Sequence, residues 1–190
     1  MTGVAITFDD GPDRRWTPVL LDRLAAHGAH ATFFVIAPRA VAAPELIERM
    51  LAQGHTVGLH CELHVRHSDR DRAWLEADTA SALRQLRELG VTPSLWRTPW
   101  GDMAPWTAAV ARSHGLRIVH WSVDTHDWRG DSAPAMFAAT RAQLTPGAVV
   151  LAHDGIGPGA RRADATETIA YLDLLARHAE ARRLALEALA

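Results

Sequence analysis

Cysteine is almost missing from this chain of 190 residues: Cys61 stands alone, so no intrachain disulfide can staple the fold. Tyrosine is as scarce, with one residue against seven tryptophans. No apolar stretch is long enough to span a bilayer, and no basic start runs into an apolar signal segment. As given, the chain reads as cytoplasmic; a secreted parent with a trimmed leader would look the same, because the first apolar run begins almost at Met1. Excess charge is lacking too. A formal charge of −2 and a pI near 6.6 exclude a nucleic-acid binder that works by phosphate neutralisation. Neither charge nor pattern supports a membrane role. Repeats, linkers and low-complexity tracts are absent, so residues 1–190 read as one domain. What the chain does have is 48% apolar residues, enough for a sizeable core, and 11 histidines, which hint at metal or acid–base chemistry.

Strand-like and helix-like segments alternate. Val4 to Phe8, Ala31 to Ile36, Thr56 to Leu59, Leu95-Trp96, Leu116 to Trp121 and Ala148 to Leu151 read as strands. Leu184 to Leu186 reads as a last strand or as more helix. Helices are expected from Thr17 as N-cap with Pro18 at the first helical position, ending at Gly28, and from Pro44 to Gly54. Others are expected from Ser68-Asp69 as caps to about Leu89, from Pro105 to His114, from Pro134 to about Gln143, and from Ala163 to His178. This rhythm implies an α/β fold with a parallel sheet, either a barrel or a doubly wound sheet. Polar clusters follow the strands, at Asp9-Asp10, His60, Arg97, Asp124 to Trp128 and His153. A barrel brings all such ends to one face, and that convergence favours the barrel.

Thr7-Phe8-Asp9-Asp10-Gly11-Pro12 is the centre of this pattern. Adjacent strand residues point to opposite faces, so two acids can share a site only where the strand stops, and Gly11-Pro12 stops it. Adjacent carboxylates repel unless their roles differ, as when one holds a divalent cation and the other stays free as a base. The plain alternative is a polar turn. His60 and His64 stand four apart, a spacing that puts both imidazoles on one side of a helical turn and within reach of one metal. Zinc suits such donors, with Asp10 as the third, although cobalt, nickel or manganese could also serve. His67 is a possible decoy, and Cys61 reads as packing. Arg97 after a buried strand needs an acidic partner, either as an ordinary ion pair or to fix the base carboxylate.

The ordered set Thr7 to Pro12, His60-x-x-x-His64, Arg97-x-Pro99-Trp100-Gly101, Asp124-x-x-Asp127-Trp128 and Leu151-x-His153 closely resembles the five motifs of the polysaccharide deacetylase family, also called the NodB-homology domain or carbohydrate esterase family 4. The resemblance spans residues 4 to 154. It implies a distorted (β/α) barrel of seven strands. It also implies a metal-dependent N-deacetylase that hydrolyses the acetamido group of an N-acetylated amino sugar, on an oligosaccharide or a glycosylated small molecule. Asp9 would be the general base, oriented by Arg97. Asp10, His60 and His64 would hold the metal. The Trp100 backbone N–H would bind the oxyanion, Trp128 and Leu151 would wall the acetyl pocket, and His153, tuned by Asp127, would be the general acid. The chain departs from the family with Cys61 in place of Ser or Thr, Trp100 in place of Tyr, and Ser122 where an acid is common. His126 and Asp102 add polar groups near the mouth. Two other functions fit the same scaffold: hydrolysis of a non-sugar amide or cyclic imide, and catalytically silent sugar binding, though no catalytic residue is lost. The pattern names neither the sugar nor the oligomeric state.

Overall fold

The computed structural model describes residues 2–190. Strand β1 (Ala5–Asp9) is buried along its whole length. It runs into a turn and helix α1 (Thr17–Ala26), and β2 (Ala31–Ile36) is likewise fully buried. Helices α2 (Ala37–Ala42) and α3 (Pro44–Ala52) lead to β3 (Thr56–Cys61). Helix α4 (Arg72–Glu88), β4 (Leu95–Trp96), α5 (Thr107–Ser113) and β5 (Arg117–Ile118) follow. The chain continues through β6 (Val123–Asp124), α6 (Ala133–Thr140), β7 (Val149–His153) and α7 (Thr166–Ala181).

The strands form one sheet in the order β5-β4-β3-β2-β1-β7-β6, and every pair is parallel. Parallel pairing puts all seven carboxyl ends on one side, which is why motifs far apart in the chain meet. β1 lies between β2 and β7, with Asp9 in register with Phe34 of β2 and His153 of β7. Such strands are covered on both faces, which explains their near-continuous apolar runs. The core runs through Ile6, Phe8, Phe33, Val35, Leu59, Trp96 and Val150, with Leu20, Leu24, Leu83 and Leu172 from the helices. The sheet is a curled half-barrel: β5 and β6 are its ends, with no ladder between them among the described residues.

Several local expectations change. The stretch 116–121 keeps only Arg117–Ile118 as strand, and Val123–Asp124 forms a separate strand that was not expected. Residues 184–186 contribute one bridge, Val4 to Leu186, rather than a strand. Thr17 is the first helical residue, not the cap; its hydroxyl accepts from the Asp13 N–H at 2.8 Å and donates to Asp154 Oδ2 at 2.6 Å. Asp71, not Ser68 or Asp69, caps α4, accepting from Trp74 N–H at 2.8 Å. Ser68 is drawn away to Asp102, which accepts from its N–H at 2.7 Å.

Candidate active site

Asp9 ends β1 in extended backbone, and Asp10 leaves it at φ +72°, in the left-handed region. That reversal lets two consecutive carboxylates line the same pocket. Aspartate tolerates the conformation better than most residues, at a cost that the surrounding contacts must cover. Gly11 is required beside it: a Cβ there would lie 2.0 Å from Asp154 Oδ2.

The Asp10 carboxylate faces two imidazoles. Its Oδ1 lies 3.3 Å from His60 Nε2 and 3.2 Å from His64 Nε2, yet finds no hydrogen-bond partner among the described residues. His60 Nδ1 is 2.7 Å from the Arg97 carbonyl and must donate to it, so in the neutral ring the Nε2 lone pair points at Asp10. Burial would raise the Asp10 pKa, but His60 and His64 outweigh it and hold the carboxyl well below the usual carboxylate range. Burial likewise opposes charge on His60, while Asp10 and Asp9 win and raise its pKa. The cluster therefore draws positive charge, as a proton or as a cation. Its donor atoms all lie within 4.8 Å of one another. One carboxylate oxygen without a hydrogen-bond partner among the described residues and two imidazole nitrogens, with Asp10 and His60 buried and His64 partly so, fit a divalent metal.

The helical reading of His60 and His64 is wrong. His60 sits on β3, and His64 follows a tight turn. Asp78 of α4 shapes that turn by accepting from the Leu63 N–H at 2.9 Å and the Glu62 N–H at 3.2 Å. His67 stays outside the cluster, packed on Trp96 and within 3.2 Å of the Thr107 hydroxyl, and burial pushes its pKa down to about 4. Cys61 is buried, and burial pushes its thiol well up, so the side chain packs and does not ligate.

Arg97 is fully buried, stacked over Phe34, and donates through Nη1 to Asp9 Oδ1 at 2.9 Å and to the Thr7 hydroxyl at 2.5 Å. Its remaining nitrogens reach the Val119 and His120 carbonyls, each at 3.3 Å. On the other flank His153 Nδ1 lies 2.7 Å from Asp127 Oδ1. Burial would lower the His153 pKa, but Asp127, helped by Asp10 and Asp9, raises it to about 9. Nδ1 is thereby committed, and Nε2 is left for the pocket.

The pocket measures about 360 Å³ and is lined by Asp9, Asp10, His60, His64, Trp100, Trp128, Leu151 and His153. Arg97 and Asp127 stand behind it, against Asp9 and His153. All ten residues singled out in the sequence are thus gathered at one place. A model of the family described as polysaccharide deacetylase matches residues 2–119. The chain belongs to the polysaccharide deacetylase family. It is a member of a hydrolase family that acts on amide bonds.

The family's curated members include a chitooligosaccharide deacetylase of Bradyrhizobium sp. (strain ANU 289), 40% identical over 167 residues, covering 86% of this chain and 76% of that one. A peptidoglycan-N-acetylglucosamine deacetylase of Bacillus cereus is 35% identical over 158 residues, covering 81% of this chain and 56% of its own length. Among solved structures, the Bc1960 peptidoglycan N-acetylglucosamine deacetylase superposes with a TM-score of 0.90 at 29% identity, over 99% of this chain and 86% of that one. The family 4 carbohydrate esterase from Streptomyces lividans, in complex with acetate, gives 0.87 at 27% identity, over 97% of this chain and 91% of its own.

Compared with its family's motifs, this deacetylase site has supports that lie outside them. Arg162 is buried in the loop after β7, and its guanidinium lies 3.2 Å from Asp127 Oδ2. It also donates to the His153 carbonyl at 2.8 Å and the Gly155 carbonyl at 2.9 Å. Thr168 of α7 donates to Asp127 Oδ2 at 2.7 Å. Neither stands directly at a strand end, so the strand-end pattern does not reach them; the Gly- and Arg-rich composition of the loop is the one signal for Arg162, and Thr168 on α7 has none. Asp154 is buried with one oxygen unpartnered among the described residues, and burial pushes its pKa up to about 7.

Proposed function

We propose that this chain is a divalent-metal-dependent N-deacetylase that hydrolyses the acetamido group of an N-acetylated amino sugar to acetate and free amine. The observation that carries this reading is one pocket faced by three groups: the Asp10–His60–His64 cluster, Asp9 held by Arg97, and His153 held by Asp127. The deacetylases of N-acetylglucosamine-containing substrates among its relatives support the sugar. Asp10, His60 and His64 would hold the cation, with zinc favoured by the donor set and cobalt, nickel or manganese also compatible. When bound, it would supply Lewis-acid polarisation of the acetyl carbonyl and a lowered pKa for water.

The remaining chemistry belongs to the side chains. Asp9 takes a proton from the water that adds to the carbonyl carbon, while Arg97 holds its other oxygen still. The Trp100 N–H donates to the oxygen that becomes an oxyanion. The C–N bond breaks as His153 passes the Nε2 proton to the amine nitrogen, which leaves the free amine and acetic acid; the acid's proton goes to solvent to give acetate, and the proton on Asp9 returns through solvent to His153, restoring both groups. Trp128 and Leu151 wall the space for the acetyl methyl.

The test is acetate release by metal-loaded and chelator-stripped protein on N-acetylated sugars from monosaccharide to oligomer, with acetylated amino-acid amides alongside. Metal-dependent release from the sugars is expected. Release from the amino-acid amides alone would move the activity to a non-sugar amide, and a metal-loaded protein inert on every compound would overturn the reading.

A further inference from the structure

Arg39 lies on α2, a helix of six residues that follows β2 without a loop. Its half-buried guanidinium bridges two loops. Nη1 donates to the Asp10 backbone carbonyl at 2.7 Å, and Nη2 donates to the Ile156 carbonyl at 3.0 Å. The first loop carries Asp9 and Asp10, and the second follows His153. The two loops also touch directly. A Cβ on Gly155 would lie 2.4 Å from the Asp10 carbonyl oxygen and 2.7 Å from Arg39 Nη1, and a Cβ on Gly157 would lie 2.0 Å from Asp10 Oδ2.

Asp10 is a non-glycine residue at φ +72°, a conformation that persists only where neighbours impose it. A charge-assisted hydrogen bond to the carbonyl of that same residue is such a constraint. We propose that Arg39 is a positioning residue: it holds Asp10 in its left-handed geometry and sets the spacing between the Asp9–Asp10 loop and the His153 loop, so that cation affinity depends on it. This rests on Asp10 being a metal ligand. The sign of the effect separates it from simple electrostatics. Arg39 carries positive charge, so deleting it would tighten cation binding if charge alone mattered. A positioning role gives the opposite result.

The experiment titrates metal-free wild type, Arg39→Ala, Arg39→Lys and Asp10→Ala with Zn2+ against a chromophoric chelator, and with Co2+ by visible absorption. Wild type is expected to bind one equivalent, and Asp10→Ala to lose it. Arg39→Ala is expected to weaken binding by about 10- to 100-fold, with an altered Co2+ spectrum. Arg39→Lys keeps the charge but not the two-pronged fork, so its affinity is expected to fall between the two. Arg39→Ala binding as tightly as wild type, or more tightly, would overturn the proposal, even if the variant melts lower. If Arg39→Ala does not fold, Arg39→Lys decides: affinity equal to wild type overturns it. Asp10→Ala binding metal like wild type would sink the site reading itself, and the role of Arg39 with it.

Discussion

Asp9 and Asp10 are chain neighbours in contrasting surroundings. Asp9 receives a buried guanidinium, whereas Asp10 faces two imidazoles. Replacing Asp9 by Asn keeps the shape and removes the proton acceptor. Asp9→Asn is expected to lower kcat by about 10²- to 10⁴-fold while zinc content stays at the wild-type level. Unchanged turnover with unchanged zinc would refute the base assignment. Asp127 and His153 form the second pair. The Asp127 carboxylate is what lifts His153 from 6.5 to about 9 against its burial. A general acid works only while protonated, so activity should fall as pH rises through the folded-state pKa. Asp127→Asn removes that support, and the basic limb of the kcat profile is expected to move down by about one pH unit or more, as loss of a close carboxylate should produce. A limb that stays in place would assign it to another group. The same pair stabilises the fold below the unfolded imidazole pKa, and that contribution is lost as pH rises through about 9.

At the scale of elements, two glycines separate stability from function. Gly58 in β3 has no room for a methyl group: its Cβ would lie 2.7 Å from the Phe34 ring and 3.2 Å from the Leu95 carbonyl oxygen. Gly58→Ala is expected to destabilise the protein by about 1–3 kcal/mol, read from urea midpoints, with metal binding retained by the protein that remains folded. Gly157 lies in the loop after β7, where the added carbon would collide with Asp10 Oδ2. Gly157→Ala is expected to weaken zinc binding by about tenfold or more with a small change in urea midpoint, as displacement of a ligand should do. Equal effects of both substitutions on zinc affinity would contradict this division of labour. Elements remote in sequence also set the site from behind: α4 supplies Asp78 to the His60–His64 turn, and α7 supplies Thr168 to Asp127.

Over the whole molecule, the two ends of the sheet carry different chemistry. The carboxyl ends hold the site, and the C-terminal tail packs at the other end. There the Leu189 N–H donates to the Thr32 hydroxyl at 2.8 Å, and Thr56 donates to the Leu189 carbonyl at 2.9 Å. His55 is buried near that end, its Nδ1 accepting from the Ala31 N–H at 3.2 Å, a bond that requires a neutral ring. Burial, with His30 and Arg49, pushes its pKa down to about 4, where burial also puts His67. Between 6.5 and about 4 the unfolded chain takes up protons at both histidines that the folded protein refuses, so stability falls on acidification. Asp154 opposes them, since its folded pKa of about 7 lies above the unfolded 3.8 and favours the fold as pH falls. His60 and His153, whose pKa values are raised in the fold, add to Asp154 above 6.5 but are protonated in both states below it, and there His55 and His67 outweigh Asp154. The urea midpoint of metal-free protein is expected to drop between about pH 6 and about pH 5. A midpoint that rises over that interval would mean that Asp154 dominates.

The sequence by itself determined which chemical groups meet and in what order along the chain. Long apolar runs such as Ala31–Ile36 survive any context, and in a parallel sheet a polar residue just beyond such a run must lie at the common end. That is why Asp9, Asp10, His60, Arg97, Asp124 to Trp128 and His153 could be gathered from the sequence, while Trp100 is reached through the family resemblance. Only the tertiary structure decided the rest. Strands of two residues, such as Val123–Asp124, have no periodicity to read, because their partner β7 imposes them. The turn that carries His64 is shaped by Asp78, many residues downstream, so helical spacing misdescribed it. The left-handed turn of Asp10 and the grips of Arg39, Arg162 and Thr168 are contacts across sequence distance, and local propensity carries no record of such partners.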